Sequence, residues 1–93
     1  MIKSFACKET EKLFHRERSR KFPPAIHRRA FLTLLYLDQA DSLQSLMSPP
    51  ALRLEKLKGK QKHLHSIRIN LQWRICFKWV DGNAYLVEIV DYH

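Results

Sequence analysis

From Ile67 to Ile89 the large apolar residues stand on odd positions, namely Ile67, Ile69, Trp73, Ile75, Phe77, Trp79, Tyr85, Val87 and Ile89. That period of two commits the second half of the chain to strands with one buried face. Asp81-Gly82-Asn83 interrupts the series, and since Gly and Asn accept the positive φ of tight turns, the tripeptide reads as a hairpin loop. A three-residue loop sets Trp79 against Tyr85, Phe77 against Val87 and Ile75 against Ile89. A second loop, Asn70-Leu71-Gln72, sets Ile69 against Trp73 and Ile67 against Ile75. Both hairpins then share one apolar face, the agreement of register and pattern that a half-buried sheet requires.

The first half has a different period. Ile26, Ala30, Phe31, Leu34, Leu35 and Leu37 recur at three- and four-residue intervals, which predicts a helix from Ala25 to about Gln39 with a stripe turned to the core. Lys8 to about Glu17 is rich in helix formers, with Leu13 and Phe14 as apolar contacts. Asp41-Ser42 is placed to cap a short helix through Leu43 and Leu46. Pro49-Pro50 ends it, because proline lacks a donor and disfavours helix in the residue before it. Ile2–Phe5 is short enough to pair as an edge strand. The expected architecture is α+β: N-terminal helices on one face of a twisted antiparallel sheet of three to four strands. Ninety-three residues make one domain, residues 1–93.

Two cysteines, Cys7 and Cys76, without CxxC spacing indicate neither a disulfide scaffold nor a zinc site, and both are expected to be buried thiols. The five histidines show no paired metal spacing, so neither a metal nor a cofactor is expected. No apolar run approaches the length of a membrane span and the first residues do not read as a signal peptide, so the chain is expected to be cytoplasmic.

Charge narrows the partner. Seventeen Lys and Arg against nine Asp and Glu give a formal +8, and such a surplus favours polyanions, whose counterions are released on binding. Residues 53–74 hold Arg53, Lys56, Lys58, Lys60, Lys62, Arg68 and Arg74 against Glu55 alone, and residues 18–22 form a further basic loop. The hairpin register places Arg68 opposite Arg74 on the sheet face away from the core, where like charges destabilise unless something anionic joins them. Ser66, Cys76, Lys78, Glu88 and, if the last strand stays regular, Tyr92 share that face. Either it seats an anion, for which the arginine fork is suited, or Glu88 neutralises one arginine and the face is only solvated. His93 is an imidazole that exchanges protons near neutral pH. Metal-free RNA cleavage needs a base for the ribose 2′-OH, cations for the pentacoordinate phosphate and an acid for the leaving 5′-oxygen. Arg68, Arg74, Lys58, Tyr92 and His93 are residues of those types.

Three segments, LYLDQADSLQSLMSPPALRLEKLKG, SIRINLQWRICFKW and VEIVDYH, resemble the HigB-type toxins of the RelE/ParE superfamily, and the resemblance runs over essentially the whole chain. It implies a type II toxin that enters the ribosomal A site and cuts mRNA without a metal. It also implies a helix-turn-helix antitoxin of the HigA type, with the 70S ribosome and mRNA as the other partners and no membrane. By position, it implies that Lys58 and Arg74 hold the scissile phosphate. Tyr92 and His93 would position or transfer protons, and Asp91 would orient them. Some of these toxins carry a catalytic histidine where this chain has Glu55, which leaves Glu55 as a base or as an ion-pair partner of Lys58. Arg53, Lys56, Lys60, Lys62 and Arg68 are the expected RNA and ribosome contacts. Strict alternation turns Asp91 and His93 towards the core side, so the site requires the last strand to end or twist near Asp91. Two other functions fit the same fold class: a ParE-like toxin that poisons gyrase, and an RNA-binding module without chemistry.

Overall fold

Helix α1 spans Lys8–Phe14 and stops three residues short of the expected end. The computed structural model, which describes residues 1–91, shows why. Arg16 adopts a left-handed φ of 61°, and the Arg16 and Glu17 amides donate to the Leu13 and Lys12 carbonyls, the paired closure of a Schellman motif. Glycine usually takes that position. Here the Arg16 guanidinium lies 4.7 Å from the centroid of the Phe31 ring, a cation–π contact that offsets part of the backbone cost.

Helix α2, Pro24–Gln39, starts on a proline whose missing N–H costs nothing at a helix N-terminus. It buries Ile26, Ala30, Thr33, Leu34 and Leu37. Leu35 was expected in this stripe but is 37% exposed, beside Leu32 and Tyr36 on the outer face. At about 100° per residue, centring Leu34 and Leu37 on the core carries Leu35 out of the buried arc. Helix α3, Leu43–Met47, is capped as expected by the Ser42 hydroxyl, which accepts from the Ser45 N–H at 3.2 Å.

Among the described residues the sheet has four antiparallel strands, β1 (Glu55–Lys56), β2 (His65–Arg68), β3 (Trp73–Val80) and β4 (Asn83–Asp91), in that order across it. The fourth strand is therefore β1, from the basic segment, and not Ile2–Phe5. Ile2 and Phe5 instead make isolated parallel bridges to Ala84 and Val87 along the β4 edge. Between β2 and β3 the register is as the alternation predicts, with Ile67 opposite Ile75 and Arg68 opposite Arg74. Asn70 closes that hairpin by accepting from the Gln72 and Trp73 amides at 2.9 and 2.8 Å.

The β3–β4 hairpin differs from the expectation near its turn. Ile75 faces Ile89, but Trp79 faces Ala84 and Lys78 faces Tyr85. The loop is only Asp81-Gly82, both at positive φ (49° and 80°), the backbone pattern of a two-residue hairpin turn. One extra residue in β4, between the Cys76 and Lys78 pairings, restores the distal register. That bulge lies at Leu86, which is 47% exposed at φ 56°. It lets Ala84, Val87 and Ile89 all face the core, whereas Tyr85 falls on the opposite face. A leucine in left-handed backbone is strained by about 1–2 kcal/mol. Leu86→Gly is accordingly expected to raise unfolding stability by about 1 kcal/mol after glycine's entropic cost is deducted, as read from urea denaturation.

The core lies between the helices and one sheet face, with Leu13, Phe22, Leu34, Leu37 and Leu46 meeting Ile67, Ile75, Phe77, Val87 and Ile89. Cys76 is buried as expected, but Cys7 is only half-buried, and both are free thiols.

Candidate active site

On the sheet face away from the helices, Ser66 and Arg74 are buried, at 0% and 6% exposure, beside Cys76 at 7%. They are neighbours because Ser66 pairs with Cys76 and Arg68 with Arg74 across β2 and β3, while Glu55 of β1 pairs with Ser66. A buried guanidinium is tolerable only when partners replace its water. Arg74 donates through Nε to the Ser66 hydroxyl at 2.9 Å and through Nη2 to the carbonyls of Arg53 at 2.5 Å and Ser66 at 3.2 Å. The Glu55 carboxylate lies 3.9 Å from Nη2. Arg53 can turn its carbonyl inward because it sits at a left-handed φ of 44° after the 3-10 turn Pro50–Leu52.

The expected site residues divide in consequence. Glu55, Arg68 and Arg74 come together. Glu55 makes its ion pair with Arg74 and not, among the described contacts, with Lys58. Arg68 is opposite Arg74 but spends its Nε on the Asn70 carbonyl at 3.1 Å. Arg53, Lys56, Lys58, Lys60 and Lys62 are exposed. Lys58 enters the 3-10 turn Gly59–Gln61, where Gly59 has the positive φ (69°) that bends the chain. Asp91 ends β4 opposite Trp73, so the register puts it on the face that carries Trp73 rather than Arg74. It is exposed and accepts from the Gln72 side chain, Nε2 to Oδ2, at 3.2 Å. Tyr92 and His93 lie outside the described residues. The alternation places Ser66 on this face but does not show that it holds Arg74; a small hydroxyl residue opposite the strand that carries an arginine is the signal for that role.

Cys76 is buried, which disfavours the thiolate that a nucleophile needs. Burial pushes its pKa up, Glu88 adds to the rise, and Arg74 opposes them. His65, on the core side of β2, stacks on Phe77 with ring centroids 6.0 Å apart. Its Nδ1 is buried without a hydrogen-bond partner among the described residues. Burial, and then Lys56, hold its pKa below the usual 6.5. The folded state therefore disfavours the imidazolium that the unfolded chain accepts near pH 6.5, and stability falls as pH drops through that value until the folded form also protonates. Thermal unfolding from pH 8 to pH 5 should show this loss, and His65→Phe should flatten it.

Residues 3–93 match the model of a family described as the RelE-like toxin of the type II toxin-antitoxin system HigB. The chain belongs to the HigB toxins. It is 42% identical over 73 residues to Toxin HigB-1 of Vibrio cholerae, a match covering 75% of this chain and 77% of that one. To Endoribonuclease HigB of Proteus vulgaris it is 32% identical over 93 residues, all of both chains. The fold is shared with YafQ from E. coli. A mutant of that protein superposes with a TM-score of 0.61 at 12% identity over 98% of this chain and 93% of its own, and YafQ from strain BL21(DE3) gives 0.58 at 13%. As a type II toxin, this HigB-family chain has an antitoxin as partner. No helix among the described residues is long and apolar enough to cross a membrane.

Proposed function

We propose that this type II toxin, an endoribonuclease, cuts mRNA in the ribosomal A site without a metal. The observation that carries the reading is Arg74, a guanidinium held in one orientation by Ser66, Arg53 and Glu55 and standing opposite Arg68. A cation fixed before the reaction stabilises the charge that develops on a pentacoordinate phosphate without reorganising. In the reaction the ribose 2′-oxygen loses its proton and bonds to phosphorus, the bond to the 5′-oxygen breaks, and that oxygen gains a proton. Lys58 and Arg74 bear the phosphate charge, Tyr92 and His93 position or carry the protons, and Asp91 orients them. Glu55 either takes the first proton or balances Arg74. Arg53, Lys56, Lys60, Lys62 and Arg68 contact RNA. The toxin acts in the cytoplasm, and its antitoxin is a helix-turn-helix protein of the HigA type.

Primer extension on mRNA is the test. New 5′ ends at the A site should appear only with translating ribosomes. Lys58→Ala should slow their formation at least about tenfold, less than the roughly 100-fold expected for a donor fixed before the reaction, because Lys58 is an exposed, flexible cation, and stability should not change. A DNA-damage response with intact mRNA on induction, or steeply salt-dependent binding with no new RNA ends, would overturn the proposal in favour of gyrase poisoning or of binding alone.

A further inference from the structure

The β4 bulge changes what the face of the candidate site carries. Regular pairing after a three-residue turn would set Tyr85 against Trp79 on the core side. With the two-residue turn and the extra residue at Leu86, Tyr85 pairs with Lys78 instead, and paired residues project from the same face of a sheet. Lys78 alternates with Cys76 and Arg74 along β3, so the insertion brings a tyrosine onto the face that holds Arg74.

Three rows cross that face. Arg68, Arg74 and Val90 form the first, Glu55, Ser66, Cys76 and Glu88 the second, and Lys78 and Tyr85 the third. Four residues of β3 separate the first row from the third, about 13 Å at about 3.3 Å per residue. Lys58, the other expected phosphate cation, follows β1 towards the same end as the third row, because Lys56 pairs with His65 and His65 with Phe77. RNA held by Arg74 and Lys58 together runs across these rows.

The ring is uncommitted and its backbone is fixed. Trp73 lies edge-on to Phe22 and Trp79 to Phe77, and both pack on the core. Tyr85 is half-buried and stands outside that cluster, with no ring partner or side-chain hydrogen bond among the described residues. Ala84 and Val87, both at 0% exposure, pin the strand on either side of the bulge. The Leu86 amide donates to the Ser4 hydroxyl at 2.9 Å and the Val87 amide to the Ser4 carbonyl at 3.1 Å. Left-handed backbone at a leucine is retained only where the surroundings enforce it, and bulges beside active sites re-aim side chains.

We propose that Tyr85 is a stacking platform for an unpaired base of the RNA substrate that flanks the scissile phosphate. The proposal rests on the reading of Arg74 as the holder of that phosphate, and adds the residue that holds the neighbouring nucleotide. Unstacked bases of single-stranded RNA rest on aromatic rings, and every base has the π-face this needs. Lys78 and Glu88 on either side offset each other in charge, so the ring decides what is held there. A phenol has the apolar face for the base and a polar tip that stays wet.

The test compares the full chain with Tyr85→Ala, Tyr85→Phe and, as a control, Tyr36→Ala, which removes an exposed tyrosine from the outer face of α2. Two quantities are read. One is the quenching of a single-stranded 2′-O-methyl RNA that carries 2-aminopurine bases, which cannot be cleaved and whose fluorescence falls when a base stacks. The other is mRNA cleavage on translating ribosomes as a function of toxin concentration. Tyr85→Ala should lose part of the quenching and raise the half-saturating concentration about fivefold or more, the lower end of what one base–aromatic stack contributes. Its saturating rate should stay near the parent's, since a stacked base is held alike before and during the reaction. Tyr85→Phe and Tyr36→Ala should match the parent in both readouts. Unchanged quenching and half-saturation in Tyr85→Ala overturn the proposal. So does an equal loss in Tyr85→Phe, which would assign the effect to the hydroxyl. A lowered denaturation midpoint in Tyr85→Ala with quenching intact overturns it in favour of a purely structural role. If Arg74→Ala cuts at the parent rate while quenching depends on the Tyr85 ring, the reading of Arg74 falls and the stack stands. If Arg74→Ala is slow and neither readout responds to Tyr85→Ala, the stack falls alone.

Discussion

Arg74→Ala is expected to lower mRNA cleavage on translating ribosomes by at least about 100-fold, the range seen when one fixed electrostatic donor is removed from an active site. Stability should fall with it. The substitution strips the Ser66 hydroxyl and the Arg53 carbonyl of a donor in a place where Ser66 is wholly buried, and unsatisfied buried groups cost about 1–3 kcal/mol. Glu55 also loses its ion-pair partner, though its half-exposed carboxylate is partly screened by water. The two effects are separable. Arg74→Lys keeps the charge but not the planar fork that reaches Ser66 and Arg53 together, so it should restore only part of the activity lost in Arg74→Ala. Ser66→Ala leaves the cation in place and removes one orienting contact, so cleavage should drop while the salt dependence of RNA binding stays at the parent value. Single-turnover cleavage and urea denaturation on the same preparations read both quantities. A folded Arg74→Ala protein that cuts at the parent rate would remove Arg74 from the chemistry.

The parts of this site that were legible in the sequence were those fixed by period and pairing. Alternation from Ile67 to Phe77, with a polar loop between, leaves one register that buries every isoleucine, and that register puts Arg68 opposite Arg74. What the period does not encode is a local insertion. Leu86 looks like an ordinary strand residue, and only the backbone shows that it takes a left-handed φ and shifts Tyr85 off the core face. Strand β1 was illegible for another reason. Two residues are too few to display alternation, and Glu55-Lys56 is exposed, so the pairing with Ser66 and His65 rests on backbone hydrogen bonding that leaves no hydrophobic mark. That short strand is what brings Glu55 to Arg74. The basic loop was visible as composition, but its fixed shape depends on Ser19, Phe22 and His27, whose contacts have no periodic signature.

Thr10→Val is expected to destabilise the protein by about 2 kcal/mol, the cost of leaving a buried backbone donor unpaired. Beyond Val87, the N-terminal segment no longer bridges to β4, so the strand edge needs another acceptor. Helix α1 supplies it: Thr10, 0% exposed, accepts from the Ile89 N–H through Oγ1 at 3.0 Å. Valine preserves the shape and removes the oxygen, so the loss reports the hydrogen bond and not a cavity. Thr10→Ser should restore most of it, because the hydroxyl is what the amide requires. The consequence reaches the chemistry, since Ile89 lies two residues before Asp91 and the edge that Thr10 holds leads into the Asp91-Tyr92-His93 terminus. Thr10→Val should therefore also lower cleavage at temperatures well below its unfolding midpoint, and Thr10→Ser should not. Amide exchange at Ile89 is the direct measurement: exchange that stays as slow in Thr10→Val as in the parent chain would mean that another group satisfies that N–H, and that α1 does not hold the terminal strand in place.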